Sequence, residues 1–314
     1  MGVCNMPNWC ANRLIVTGSK EQLDAVEAFA LGEMPHKYEM AIKQSIRLFV
    51  AGCAGLLQTV DGSEYTPYLD LTSTGRGVIS PENLAFTEWV TLLLNNVELD
   101  DTACTYIDRL YGQSGIGDKT WETLPDAAQE TIESLFKEKG YDWFNCTVSG
   151  TSPSYSEYWD LPLSIDNGQP FDMRSLLPTR LANEVNGFNG RLLANISSSC
   201  SLYLSLYEVK WPTACSLDVF GETCELTLDF DTPWGPPSND VLSALSRQFD
   251  CDVMHYFSES GCGFCGYGEY SKGDLLDGAN DNIEFEEFMG DDGYEYSREI
   301  GPDYIIDNLP HFGG

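Results

Sequence analysis

The residues best spaced for chemistry lie late in the chain: Cys251, His255, Cys262 and Cys265, a C-x3-H-x6-C-x2-C pattern. Zinc takes four tetrahedral sulfur or nitrogen ligands, and a Cys-x2-Cys pair at a glycine-rich knuckle is one half of such a site. Against this, residues 252–258 read as a strand. Positions four apart on a strand share a face but lie about 13 Å apart, so only one of Cys251 and His255 could join the knuckle. The competing reading is a glycine hairpin that carries two small thiols. As a redox pair, Cys262 and Cys265 lack the helix N-terminus that lowers a thiol pKa. A thiol or serine hydrolase needs a nucleophile, a base and an orienting group, and the three histidines, His36, His255 and His311, lie in no recognisable motif. "GCGFCGYG" has the glycines of a phosphate loop without the strand-to-helix context. The residues therefore name no catalytic set and no cofactor, and only these four as zinc candidates.

The elements that would position such groups are legible from pattern. Asn12 to Thr17 alternates as a strand ended by Gly18, and Ser19 with Gln22 fits a capping box before Leu23, Val26, Phe29 and Ala30 at helical spacing. From about residue 34 to 140 the periodicity is helical. Ile42, Ile46, Phe49 and Val50 share a face, Pro81 starts a helix carrying Phe86, Trp89, Val90 and Leu93, and residues 102–111 allow another. Residues 126–139 give a further helix, with Gly140 as its expected C-cap. After that, the spacing predicts strands over Tyr141–Val148, Ser201–Trp211, Cys215–Val219 and Glu222–Phe230, a loop over 149–169 and a short helix within 175–190. A prolyl turn at Asp231–Pro237 precedes a helix capped by Ser238, then a strand over 252–258 and a glycine-rich hairpin over Ser260–Asp274. The class is α+β, with residues 1–33 and 141–314 as the body and 34–140 as a mainly helical insertion.

The last forty residues are the acidic extreme. Asp274 to Asp307 holds twelve carboxylates against one base, Arg298, yet Ile283, Phe285, Phe288, Tyr294, Tyr296, Tyr304 and Ile305 are interleaved. A solvating tail would lack those aromatics, so the segment should pack with its carboxylates outward. Over 314 residues the formal net charge is -32. Such a field repels phosphate backbones and anionic membranes and favours basic surfaces. Direct nucleic-acid or membrane binding is therefore not expected. No basic n-region with an apolar run opens the chain, and no stretch approaches about 18 apolar residues. The eleven cysteines are scattered and odd in number, as reduced thiols of a cytoplasmic protein would be.

"PNWCANRLIVTG" (Pro7–Gly18), "FDTPWGPP" (Phe230–Pro237) and "SESGCGFCGYGEYSKG" (Ser258–Gly273) together resemble the YubB-like proteins of plasmids and phages. That resemblance implies ferredoxin-like sheets formed by the N- and C-terminal parts. It brings no catalytic residues with it. The chain departs from the pattern at Ser149–Trp159, "SGTSPSYSEYW", where related proteins carry a Trp-Gly-Thr-Lys-Trp-like word. Trp9, Cys10 and Trp234 read as structural: each tryptophan can lid a sheet edge without a ligand.

Charge and resemblance together predict a non-catalytic mobile-element accessory protein of the bacterial host cytoplasm. Its expected partner is a host antiviral defence complex with a basic surface, a DNA-handling nuclease system of restriction, CRISPR or Gabija-like type, which it inhibits through an acidic surface. The contact candidates are Asp281, Glu284, Glu286, Glu287, Asp291, Asp292 and Glu295. Alternatives are a metal- or thiol-dependent protein using Cys262 and Cys265, or a self-assembling structural protein in which the helical insertion mediates homo-oligomers.

Overall fold

Strand β1 (Trp9–Thr17) points Cys10, Asn12, Leu14 and Val16 into the protein. Ser19 then caps α1 (Lys20–Ala30): its hydroxyl accepts from the Gln22 N–H at 3.4 Å, and the Gln22 side chain accepts from the Ser19 N–H at 2.7 Å. Both orphan donors of the first turn are thereby satisfied. The computed structural model describes residues 8–34, 36–144, 154–160, 163, 168–221 and 223–314.

A helical unit follows, formed by His36–Asp166 and Pro178–Leu202. It contains α2 (Lys37–Cys53), α3 (Pro81–Leu94), α4 (Asp101–Ser114), α5 (Asp126–Phe144), α6 (Tyr155–Asp160) and α7 (Leu181–Asn186), and α8 (Ser199–Leu206) begins in it. Ser80 and Asp100 cap α3 and α4, and Gly115, at φ 65°, ends α4. The core collects Phe49, Phe86, Trp89, Ile107, Ile132 and Phe136. Buried Trp89 donates its indole N–H to Ser45 Oγ at 3.1 Å. Gly52 on α2 meets Phe86 on α3 so closely that an added Cβ would lie 2.4 Å from the ring.

Two expected strands are helices instead. Tyr141–Phe144 continue α5 straight through Gly140, because Trp143 donates to the Val185 carbonyl at 2.9 Å and Phe144 stacks on Tyr158 at 4.3 Å. The rest of the predicted strand, 145–148, lies outside the described residues. Ser201–Trp211 alternates in sequence, yet forms α8 and then turns, since Tyr203 and Tyr207, four apart, are both buried and pack on each other. The helical unit thus extends past residue 140 and takes in 178–202.

The other unit comprises Met1–Pro35, Asn167–Leu177 and Tyr203–Gly314. It adds β2 (Cys215–Gly221), β3 (Glu225–Pro233), α9 (Asn239–Phe249), β4 (Asp252–Glu259), β5 (Phe264–Ser271) and β6 (Asp274–Asn282). One antiparallel sheet results, in the order β2-β3-β1-β4-β5-β6. The path β1-α1-β2-β3-α9-β4 is the ferredoxin-like arrangement, completed by both ends of the chain and interrupted between α1 and β2. Helices α1 and α9 cover the face that carries Leu14, Leu228 and Val253. On the opposite face Arg13 grips Asp229 with two bonds of 2.6 Å and donates to the Asn308 carbonyl at 2.6 Å. The chain ends with a separate two-stranded ribbon, β7 (Glu284–Met289) and β8 (Glu295–Gly301), and the short α10 (Asp303–Ile306). Cys265, Ile283, Ile305 and Leu309 form a small core under it.

Candidate functional site

The four zinc candidates are not brought together. His255 is sealed between strands, with Nε2 3.1 Å from Asn12 Oδ1. The Asn12 amide donates to the Cys10 carbonyl and to Thr232 Oγ1, each at 2.8 Å. Its oxygen is therefore left to accept, and the proton sits on His255 Nε2. Burial pushes the imidazole pKa down to about 3, so the ring is neutral. Cys251 is buried where α9 meets β4, and burial pushes its thiol up to about 11. Cys262 lies in the exposed β4–β5 turn, where the Glu259 carboxylate accepts from the N–H groups of Gly261 (2.9 Å) and Cys262 (2.6 Å). Hydrogen bonding to that carboxylate raises the Cys262 thiol. Cys265 pairs with Ser258 and so occupies the sheet face opposite to His255. Among the described residues no group of three or more His, Cys, Asp or Glu converges as a metal site.

One other constellation resembles an acid–base set. His311 Nε2 lies 3.2 Å from Asp231 Oδ1, and Asp231 sits across from Cys215 on the neighbouring strand. Yet His311 Nδ1 already accepts from the Gly313 N–H at 3.3 Å, and burial followed by the Asp231 charge raises the Cys215 thiol. The ring has no nitrogen left for a nucleophile. In the helical unit an open groove is bordered by Asn96, Asp100, Tyr106 and Arg180. Its charges are satisfied internally: Arg180 pairs with Glu98 at 2.7 Å and Tyr106 donates to Glu88.

The acidic candidates lie along β6, the ribbon and its turn. Asp281 is the penultimate residue of β6, Glu284, Glu286 and Glu287 lie on β7, Asp291 and Asp292 make the ribbon turn, and Glu295 opens β8; all seven are exposed. Asp281 accepts from the Tyr304 hydroxyl at 3.1 Å, and Glu286 from Arg298 at 2.9 and 2.5 Å. The expectation that the interleaved apolar and aromatic residues pack is met by Ile283 and Ile305, which are buried, and by Tyr304, which packs against their cluster. It fails for Phe285, Phe288, Tyr294 and Tyr296, which are exposed because, among the described residues, no sheet or helix covers most of the ribbon's two faces.

Sequence reasoning also missed the state of the tryptophans. Trp9 is half-buried and packs at 6.3 Å on Trp211, whose ring carries Lys210 at 5.2 Å. Trp234 is exposed and holds φ 75°, its N–H donating to the Asn8 carbonyl at 2.9 Å. It is a presented side chain, not a lid. The prolines around it announce a rigid turn, but nothing in the sequence signals a left-handed tryptophan.

The comparisons agree with this architecture. Residues 35–211 match the family described as "Protein of unknown function (DUF1281)", and residues 207–300 match the "Ferredoxin-like domain in Api92-like protein". The Escherichia coli (strain K12) protein YubA is 46% identical over 155 residues, 49% of this chain and 90% of YubA. YubB of the same organism is 38% identical over 146 residues, 46% of this chain and 99% of YubB. Both carry the word uncharacterized in their names. The crystal structure of the protein api92 from Yersinia pseudotuberculosis superposes with a TM-score of 0.84 at 37% identity, over 89% of this chain and 99% of that one. With more than half its length matched by the first of these and the sheet order matching the second, this chain belongs to the DUF1281 family and carries its ferredoxin-like C-terminal domain.

Proposed function

We propose that this protein acts without turning over a substrate, as a mobile-element accessory protein of the bacterial cytoplasm that binds and inhibits a host defence complex. The class of target is a DNA-handling nuclease, of restriction, CRISPR or Gabija-like type. The observation that supports this reading is the ribbon: six of the seven contact-candidate carboxylates are held outward on its folded backbone rather than on a tail, and the seventh, Asp281, stands on β6. A folded array meets a basic DNA channel without the ordering cost of a disordered acidic segment, and a net charge of -32 steers it there. The resemblance to plasmid and phage proteins adds the setting.

The test adds the purified 314-residue chain to a purified restriction enzyme, a CRISPR effector and a Gabija complex, and follows DNA cleavage as salt increases. One nuclease should be blocked, with the inhibitory concentration rising about tenfold or more between low and moderate salt. Undiminished cleavage by all three overturns the target class. Inhibition indifferent to salt overturns the electrostatic mode.

A further inference from the structure

The β7–β8 register sorts the ribbon into two unlike faces. Phe285 opposes Glu299, Glu287 opposes Ser297 and Met289 opposes Glu295 on one face; Glu286 opposes Arg298 and Phe288 opposes Tyr296 on the other. The second face is internally locked. Phe288 and Tyr296 stack at 5.9 Å with 28° between planes, and Arg298 lies over Phe288 at 5.5 Å while it pairs with Glu286. The Tyr296 hydroxyl donates to Asp292 Oδ2 at 2.5 Å, and its ring covers Gly290, where a Cβ would fall 2.6 Å from Cε2. This order is kept although Phe288 is 42%, Tyr296 45% and Tyr294 70% exposed. An isolated two-stranded ribbon is marginal in water. A soluble protein that holds aromatic rings in fixed register outside its core has an unpartnered sheet face, and such faces mark interaction sites.

Charge selects the occupant. Between Glu284 and Gly301 there are seven carboxylates and one arginine. A second copy would bring one net-negative ribbon against another, and nucleic acid or an anionic bilayer would meet the same repulsion. We propose that the Glu286–Arg298 face of the ribbon is the docking surface for a basic protein, with Phe288 and Tyr296 as fixed aromatic anchors and Glu286 and Asp292 as the carboxylate rim, while Glu287, Glu295 and Glu299 on the opposite face add only their field. The partner segment carries arginine or lysine side chains around an apolar patch, so that its cations stack on the rings and pair with the rim. This inference rests on the proposed function and names the element through which it works.

The experiment places a photo-crosslinking p-benzoylphenylalanine in the 314-residue chain, at exposed Tyr294, two residues before Tyr296, and, separately, at exposed Tyr141 of the helical unit. The probe is the cytosol of Escherichia coli expressing the chain, irradiated in living cells, and the adducts are identified by mass spectrometry. The expected result is a protein adduct from Tyr294 whose attached peptide is net positive, with none of comparable yield from Tyr141. The Phe288→Ala variant should lower that yield about tenfold or more, whereas Phe285→Ala, on the other face, should leave it within about twofold; a ribbon that merely unfolded would lose both. An adduct with another copy of the chain, with nucleic acid or lipid, or with an acidic peptide overturns the proposal. A basic adduct from Tyr141 alone removes the ribbon and leaves the proposed function standing. No adduct from either position removes both.

Discussion

His255 has exchanged water for a single amide oxygen. With its pKa depressed to about 3, the folded chain binds no proton there while the unfolded chain does below about pH 6.5. Its contribution is therefore complete above pH 6.5 and is lost as pH falls toward 3. The stability difference between the wild type and His255→Gln should shrink by about 1.4 kcal/mol for each pH unit below 6.5, measured by urea unfolding at pH 7, 6, 5 and 4. A flat difference would show that the imidazole is hydrated or charged in place. A second residue-scale case is Asp250, the α9 C-cap at φ 48°. Left-handed geometry costs a residue with a Cβ about 1–2 kcal/mol, and glycine gives back about 0.4–1 kcal/mol in unfolded-state entropy. Asp250→Gly should accordingly stabilise by about 0.5–1 kcal/mol. The Gln22 side-chain N–H still donates to the residue 250 carbonyl after that change, and only its longer bond to the Asp250 carboxylate is lost.

At the scale of elements, Gly52 sets how closely α2 and α3 cross. Gly52→Ala drives a methyl into Phe86 and Leu71 and should cost about 1–3 kcal/mol by overpacking, read as a shift in the denaturation midpoint at unchanged slope. The elements with local punctuation were legible: the Ser19–Gln22 box, Pro81 behind Ser80 and Ser238 before Val241 all stand where their chemistry places them. Elements decided by distant contacts were not. Tyr141–Phe144 has strand-forming aromatics, but its rings answer to Val185 and Tyr158. The alternation of Ser201–Trp211 was real, yet a four-residue spacing of Tyr203 and Tyr207 also fits it, and packing chose the helix. The acidic candidates were found by composition alone. Which β8 residues join each face of β7 was invisible, since it depends on the pairing register, and no local residue type announces that register. The His255–Asn12 bond was likewise hidden, because it joins residues 243 apart.

For the whole molecule, a net charge of -32 makes self-repulsion a standing cost. Added salt should raise the melting temperature by a few degrees between about 0.01 and 0.5 M sodium chloride, as the Debye length contracts from about 30 Å to a few ångströms. The same salt should weaken the proposed inhibition of a nuclease. Opposite signs for stability and binding would separate screening within the chain from screening across an interface, and a melting temperature that fell with salt would contradict the first.

The central position of β1 also governs the order of events at the ribosome. Arg13 and its partner Asp229 are 216 residues apart. At about 5–20 residues per second, Leu14 and Val16 wait roughly 10–40 s before either neighbouring strand is synthesised. The helices coded in between can condense early, while the first strand stays unclaimed and open to chaperones. Completion of the sheet falls to the last third of the polypeptide, so a ribosome that stalls before β3 releases a finished helical unit joined to a bare, sticky strand.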